Sequence, residues 1–166
     1  MRFVFVMMPL ILAVLSGCGG AGNSGGAPAD GGTVNRYRTE PVAGKINGAT
    51  WTFVSGIARN SPYSESTLNL IFVGEATADP CAMFPSKQIM TSVKANVGLT
   101  PLGQAPDFRS VTFFWQTPEG GINKIATEGS IDVQEITATE VVGRMIATFD
   151  GVTFVNGTFR LKICGQ

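Results

Sequence analysis

From residue 41 to the end of the chain, apolar and polar side chains alternate in short runs separated by turn-forming residues. Alternation with a period of two puts successive side chains on opposite faces and marks half-buried strands. Residues 41–46 form one such run. Asn47-Gly48 follows, a pair that tolerates positive φ and closes tight hairpins. Residues 49–58 return, with Trp51, Phe53, Ser55 and Ile57 on one face and Thr50 and Thr52 on the other. Residues 59–66 read as a polar loop. Residues 67–75 are apolar on both sides, Leu68, Leu70 and Phe72 against Ile71 and Val73, as expected of a central strand.

Residues 76–87 make a longer excursion with two prolines, and a short helical turn fits 81–84. Strands are expected at 88–97, 108–116, 122–127, 130–137 and 141–149. Residues 98–107 and 117–121 read as connections. The last strand starts at Val152 or at Thr158. Asp150-Gly151 and Asn156-Gly157 both offer the bend before it, and the pattern does not choose. No window of ten residues carries a convincing helical stripe. Residues 137–146 come nearest, and their β-branched residues suit a strand as well. Strands at about ten-residue spacing predict an all-β domain, an antiparallel β-sandwich or barrel of roughly eight or nine strands.

The chain before residue 41 is different material. Arg2 opens it, and residues 3–14 are apolar apart from the break at Pro9. This run is too short for the ~20 residues that cross a bilayer as a helix. Leu15-Ser16-Gly17-Cys18 follows directly. The order of positive start, apolar run and small residues is that of a secretory signal. Its Leu-Ser-Gly-Cys ending resembles the lipobox of bacterial lipoproteins. The resemblance covers about the first twenty residues. It implies removal of residues 1–17 and acylation of the Cys18 thiol with a diacylglycerol. Membrane attachment through that lipid would follow. Two or three acyl chains hold where one binds only marginally. Gly19 after the cysteine resembles the outer-membrane class and implies a cell-envelope location.

Residues 18–40 are the lipidated cysteine and a tether. Residues 19–32 are Gly, Ala, Ser, Asn, Asp and Pro, with no large apolar side chain to offset ordering entropy. Some 20 flexible residues reach about 25 Å on average. The β-domain is residues 41–166, a length that suits one domain.

The whole chain has twelve basic and twelve acidic residues, and loss of Arg2 with the leader leaves eleven against twelve. A near-neutral chain lacks the electrostatic footprint of nucleic-acid binding. There is no histidine, which excludes a Ser-His-acid triad within the chain. Lys45, Lys87, Lys94, Lys124 and Lys162 have no buried setting that would make one a base. Asp132 and Glu135 are near in sequence, but three residues along a strand separates faces. Asp79, Asp107 and Asp150 stand singly in separate loops and read as turn formers rather than calcium ligands. Glu119-Gly120-Gly121 is a turn with no Lys-Ser/Thr beside it, not a phosphate cradle. Asn156-Gly157-Thr158 matches a glycosylation acceptor and reads as turn chemistry. Trp51 and Trp115 alternate with core-facing residues and read as core.

After Cys18, two cysteines remain, Cys81 and Cys164. In an oxidising compartment they have one intramolecular pairing. Cys164 leaves the last strand on its polar face. The bridge would therefore pin the 76–87 excursion to the outside or rim of the sheet. I-N-G-A-T-W-T-F near the domain's start and V-N-G-T-F near its end resemble small exported lipoproteins, which implies a β-domain with a disulfide and no particular activity.

The composition favours a non-catalytic domain in a binding or structural role, with no cofactor and no metal site, and the lipobox resemblance implies that it sits in the cell envelope. Its ligand-binding residues are not assigned. A small apolar ligand carried in a barrel cavity is the alternative, and an enzyme of unrecognised type a third. The partners this implies are the membrane through the lipid, and an envelope protein or an apolar ligand. The three loops 59–66, 76–87 and 98–107 are the surfaces to test.

Overall fold

The computed structural model describes residues 37–82, 86–104 and 108–165. Cys18 and the rest of the segments expected as leader and tether, up to residue 36, lie outside them, as does Asp107. Eleven strands run through the domain: β1 Ala43–Ile46, β2 Ala49–Thr52, β3 Ser55–Ser61, β4 Ser64–Val73, β5 Lys87–Lys94, β6 Gly98–Pro101, β7 Val111–Thr117, β8 Gly120–Ala126, β9 Glu128–Ile136, β10 Glu140–Asp150 and β11 Thr153–Ile163. One 3₁₀ turn, Pro80–Ala82, sits in the excursion.

All strands belong to one sheet in the order β6-β9-β10-β11-β3-β4-β5-β7-β8, with β1 added beside β11 and β2 beside β1. The domain is all-β, as expected, but not purely antiparallel. β11 and β3 run parallel, joined at Lys162 with Ile57 and Ile163 with Ala58. Local alternation carries no information about which strand becomes a neighbour, so this seam was not legible from it. The sheet curls into a half-barrel. β8 and β10 touch although five strands stand between them in the order. Only Thr127 links β8 to β9.

The inner face of the curl is the core. Leu70, Phe72, Ile89, Phe113, Ile131, Met145 and Leu161 are all fully buried and belong to one cluster. Trp51 and Trp115 are buried with them. Phe72 is central, with edge-to-face contacts to Phe53 at 5.8 Å and Phe159 at 5.1 Å between ring centroids. Such pairs add to the stabilisation from area burial alone.

Several expected boundaries move. The Asn47-Gly48 turn forms as expected, with φ of 52° and 79°. The return run, however, breaks at Phe53 and Val54 into β2 and β3. Phe53 N donates to Val42 O and Val54 N to Val73 O, so the chain changes partner there. Residues 59–66 are not a loop. They are the ends of β3 and β4, turning at Pro62 and Tyr63. Residues 98–107 contain the edge strand β6, paired with β9. The bend before the last strand lies at residues 151–152, where Asp150 Oδ1 accepts the Val152 N–H at 2.9 Å. Asn156-Gly157 lies inside β11.

Gly157 has a separate task. The chain crosses it at residues 40–42, and a Cβ there would come within 2.6 Å of Glu40 O and 2.7 Å of Val42 Cα. Its φ of 149° is also one that other residues rarely adopt. Gly157→Ala is expected to destabilise the domain by about 2–4 kcal/mol through the clash and the strain. Thermal unfolding followed by circular dichroism checks it as a fall in Tm.

Candidate functional site

The inner face carries the buried core, and the outer face carries the polar rows. On β3, β4 and β5 the residues between core positions point outward. Cross-strand register sets Arg59 beside Asn69 and Asn69 beside Ser92. Ser92 Oγ donates to Asn69 Oδ1 at 2.7 Å. One row on, Ile71 pairs with Met90 and Met90 with Thr112, giving a half-buried, partly apolar strip. On the other side of the polar row, Thr67 pairs with Lys94.

Three clefts lie along this surface. The first, about 490 Å³, is lined by Asn69, Ile71, Met90, Ser92, Phe108 and Arg109 among others. The second, about 440 Å³, includes Ser66, Thr67, Lys94, Asn96 and Arg109. The third, about 790 Å³, includes Arg59, Tyr63, Ser64, Glu65 and Cys81. Arg109 is common to the first two, and Ser64 to the second and third. The three clefts therefore adjoin one another in a row.

The segment carrying Phe108 and Arg109 is held by its backbone. Phe108 N donates to Gln104 O and Gly103 N to Arg109 O, both at 2.8 Å. The buried Thr91 hydroxyl donates to Ser110 O at 2.8 Å. Phe108 has a φ of 42°, uncommon for a bulky residue, and its ring is 68% exposed. Arg109 is half-buried, and its Nε is buried with no hydrogen-bond partner. An unmet buried N–H costs about 1–3 kcal/mol, and the cost is relieved by any acceptor that reaches it. Tyr63, at the turn of the β3–β4 hairpin, is 96% exposed.

The disulfide borders the third cleft. Cys81 and Cys164 are bridged, with Cα atoms 5.6 Å apart. Ile57, Val73 and Cys164 are buried but outside the inner cluster. The bridge thus lies on the outer face, as the polar-face position of Cys164 implied. Cys164 N donates to Ala58 O at 2.9 Å, and an Arg59 Nη2 donates to Cys81 O.

The other candidate residues are dispersed. Asp132 is paired with Arg144 at 2.9 Å, and the Tyr37 ring lies 4.5 Å from the Arg144 guanidinium carbon. Glu140 is paired with Arg160. Strict alternation would put Glu135 and Asp132 on opposite faces, and the structure does not. A bulge between Val142 and Gly143 sets Glu135 against Val142 while Asp132 stays against Arg144, and this brings both acids to the outer face. Lys124 lies 5.1 Å from the Phe149 ring centroid. Asp79 Oδ1 accepts the Cys81 N–H at 2.9 Å, closing a turn. A smaller cleft of about 300 Å³ adjoins Trp51 and Lys87. There the buried Trp51 Nε1 lacks a hydrogen-bond partner. Among the described residues, no three His, Cys, Asp or Glu side chains converge as a metal site would require.

Of the three surfaces expected from the sequence, 59–66, 76–87 and 98–107, the first supplies Arg59, Tyr63, Ser64 and Glu65 and the second supplies Cys81. Sequence reading missed Phe108 and Arg109, which it placed within a strand. Only the three-dimensional pinning of that segment singles them out. No protein-family model matches this chain, and comparison with curated proteins and with solved structures returns no significant match.

Proposed function

We propose that the chain is an exported lipoprotein, cut before Cys18 and held on the outer membrane by acyl chains on that residue. Its half-barrel acts by binding, not by catalysis. The observation that carries the binding role is this row of adjoining clefts, the outer groove. It holds two exposed aromatic rings and an arginine with an unmet buried N–H. The carboxylates Asp132 and Glu140 are each taken up by an arginine on a neighbouring strand. That arrangement suits a surface-binding domain better than a hydrolytic cleft. The Cys81–Cys164 bridge fits an oxidising compartment, where such bonds persist.

The anchor is tested by cell fractionation. Cys18→Ser is expected to move the chain from the membrane to the soluble fraction. Retention of that variant on membranes would show that the lipid is not what holds it. Cross-linking in intact cells, with the cross-linker placed at Ser66, tests the binding role. Specific adducts are expected, and their absence would count against it.

A further inference from the structure

We infer that the outer groove is a binding site for an acidic polysaccharide, a linear sugar chain carrying carboxylates. This rests on the binding role proposed above and names its ligand class.

Three features of the groove converge on that chemistry. The first is its lining. Asn69, Ser92, Thr67, Ser66, Ser64 and Asn96 are neutral groups that both donate and accept hydrogen bonds. Sugar hydroxyls have the same dual character. The second is charge. The charged residues lining the three clefts are Arg59, Lys94, Arg109 and Glu65, three cations against one anion. Arg109 lines two adjoining clefts, and its buried Nε–H has no hydrogen-bond partner. A carboxylate would give it the strong, charge-assisted form of hydrogen bond. The third is the pair of exposed rings. Phe108 is in the first cleft and Tyr63 in the third, so both ends of the groove present an aromatic face. Such faces suit the C–H surface of a sugar ring. Phe108 also holds its exposed position at a strained φ, and strain of this kind clusters at ligand clamps.

Other polymers fit less well. Where the groove crosses β4 and β5, their main-chain groups are already used in ladders on both sides, so a peptide cannot add there as a strand, the mode that gives main-chain affinity. A nucleic acid would need a much larger excess of basic residues than this near-neutral chain has.

The test is affinity electrophoresis of the full chain in gels containing polygalacturonate, with neutral dextran as the comparison. Retardation by polygalacturonate is expected, weakening as salt is raised. Arg109→Gln is expected to weaken it about tenfold, the usual scale for one charge-assisted hydrogen bond. Phe108→Gly is expected to weaken it several-fold while leaving Tm unchanged or higher, because glycine relieves the φ strain. Equal retardation by dextran, no retardation by polygalacturonate, or an Arg109→Gln chain that binds as the parent does would overturn the inference. If the cells yield a specific protein adduct while polygalacturonate does not bind, the ligand class is wrong and the binding role survives. If Cys18→Ser stays on membranes and no adduct forms, the parent reading fails by itself.

Discussion

Replacing Cys81 and Cys164 with Ser is expected to lower the folding free energy by roughly 4 kcal/mol, the largest loss foreseen for any change outside the core. The bridge joins residues 83 positions apart, so in the unfolded chain it closes a long loop and removes much conformational freedom. Its location adds a structural reason. The sheet falls into two antiparallel runs, β6-β9-β10-β11 and β3-β4-β5-β7-β8, and the parallel seam between them has only two registered residue pairs. Cys164 follows directly on that seam and donates to Ala58 across it. The disulfide clamps the place where the ladder is shortest. Denaturation in guanidinium should show the loss, and reduction of the parent chain should reproduce it. Hydrogen exchange should rise first at residues 57–58 and 162–164, ahead of the middle of β4. A loss below about 1 kcal/mol, or uniform exchange, would mean that the seam does not depend on the bridge.

Phe72→Ala is expected to cost about 3–5 kcal/mol, because the ring is fully buried and its neighbours Phe53 and Phe159 cannot both collapse onto the gap. Residue 72 lies in β4, one strand away from the seam, where each neighbouring strand restrains it. Phe72→Leu keeps most of the volume and should cost well under half as much. Equilibrium unfolding of the two variants gives the contrast. A loss below about 1 kcal/mol for both would indicate that the inner face tolerates voids, as a ligand carrier's interior would.

What could be read from the sequence follows from how local each feature is. The hairpin at Asn47-Gly48 and the alternation within β10 and β11 depend on neighbouring residues, and both were legible. The choice between Asp150-Gly151 and Asn156-Gly157 was not. It is decided by the crossing of residues 40–42 over Gly157, a contact between chain segments more than a hundred residues apart. The polar stretch 59–66 extends two strands because its partners are one another across a tight turn, and polar side chains are acceptable on the exposed end of a hairpin. The bulge in β9 reversed the expected facing of Glu135, since one extra residue shifts the alternation. The groove was the least legible part. Arg59, Asn69 and Ser92 meet only through register, and Arg109 stands out only once its buried Nε is seen to lack an acceptor.

The proposed attachment to a membrane surface turns on acylation of Cys18. Intact-mass spectrometry of the protein from its native host measures this directly. The account predicts a chain that begins at Cys18 and carries the added mass of two or three acyl chains. A mature chain with an unmodified start, or one that keeps residues 1–17, would contradict it.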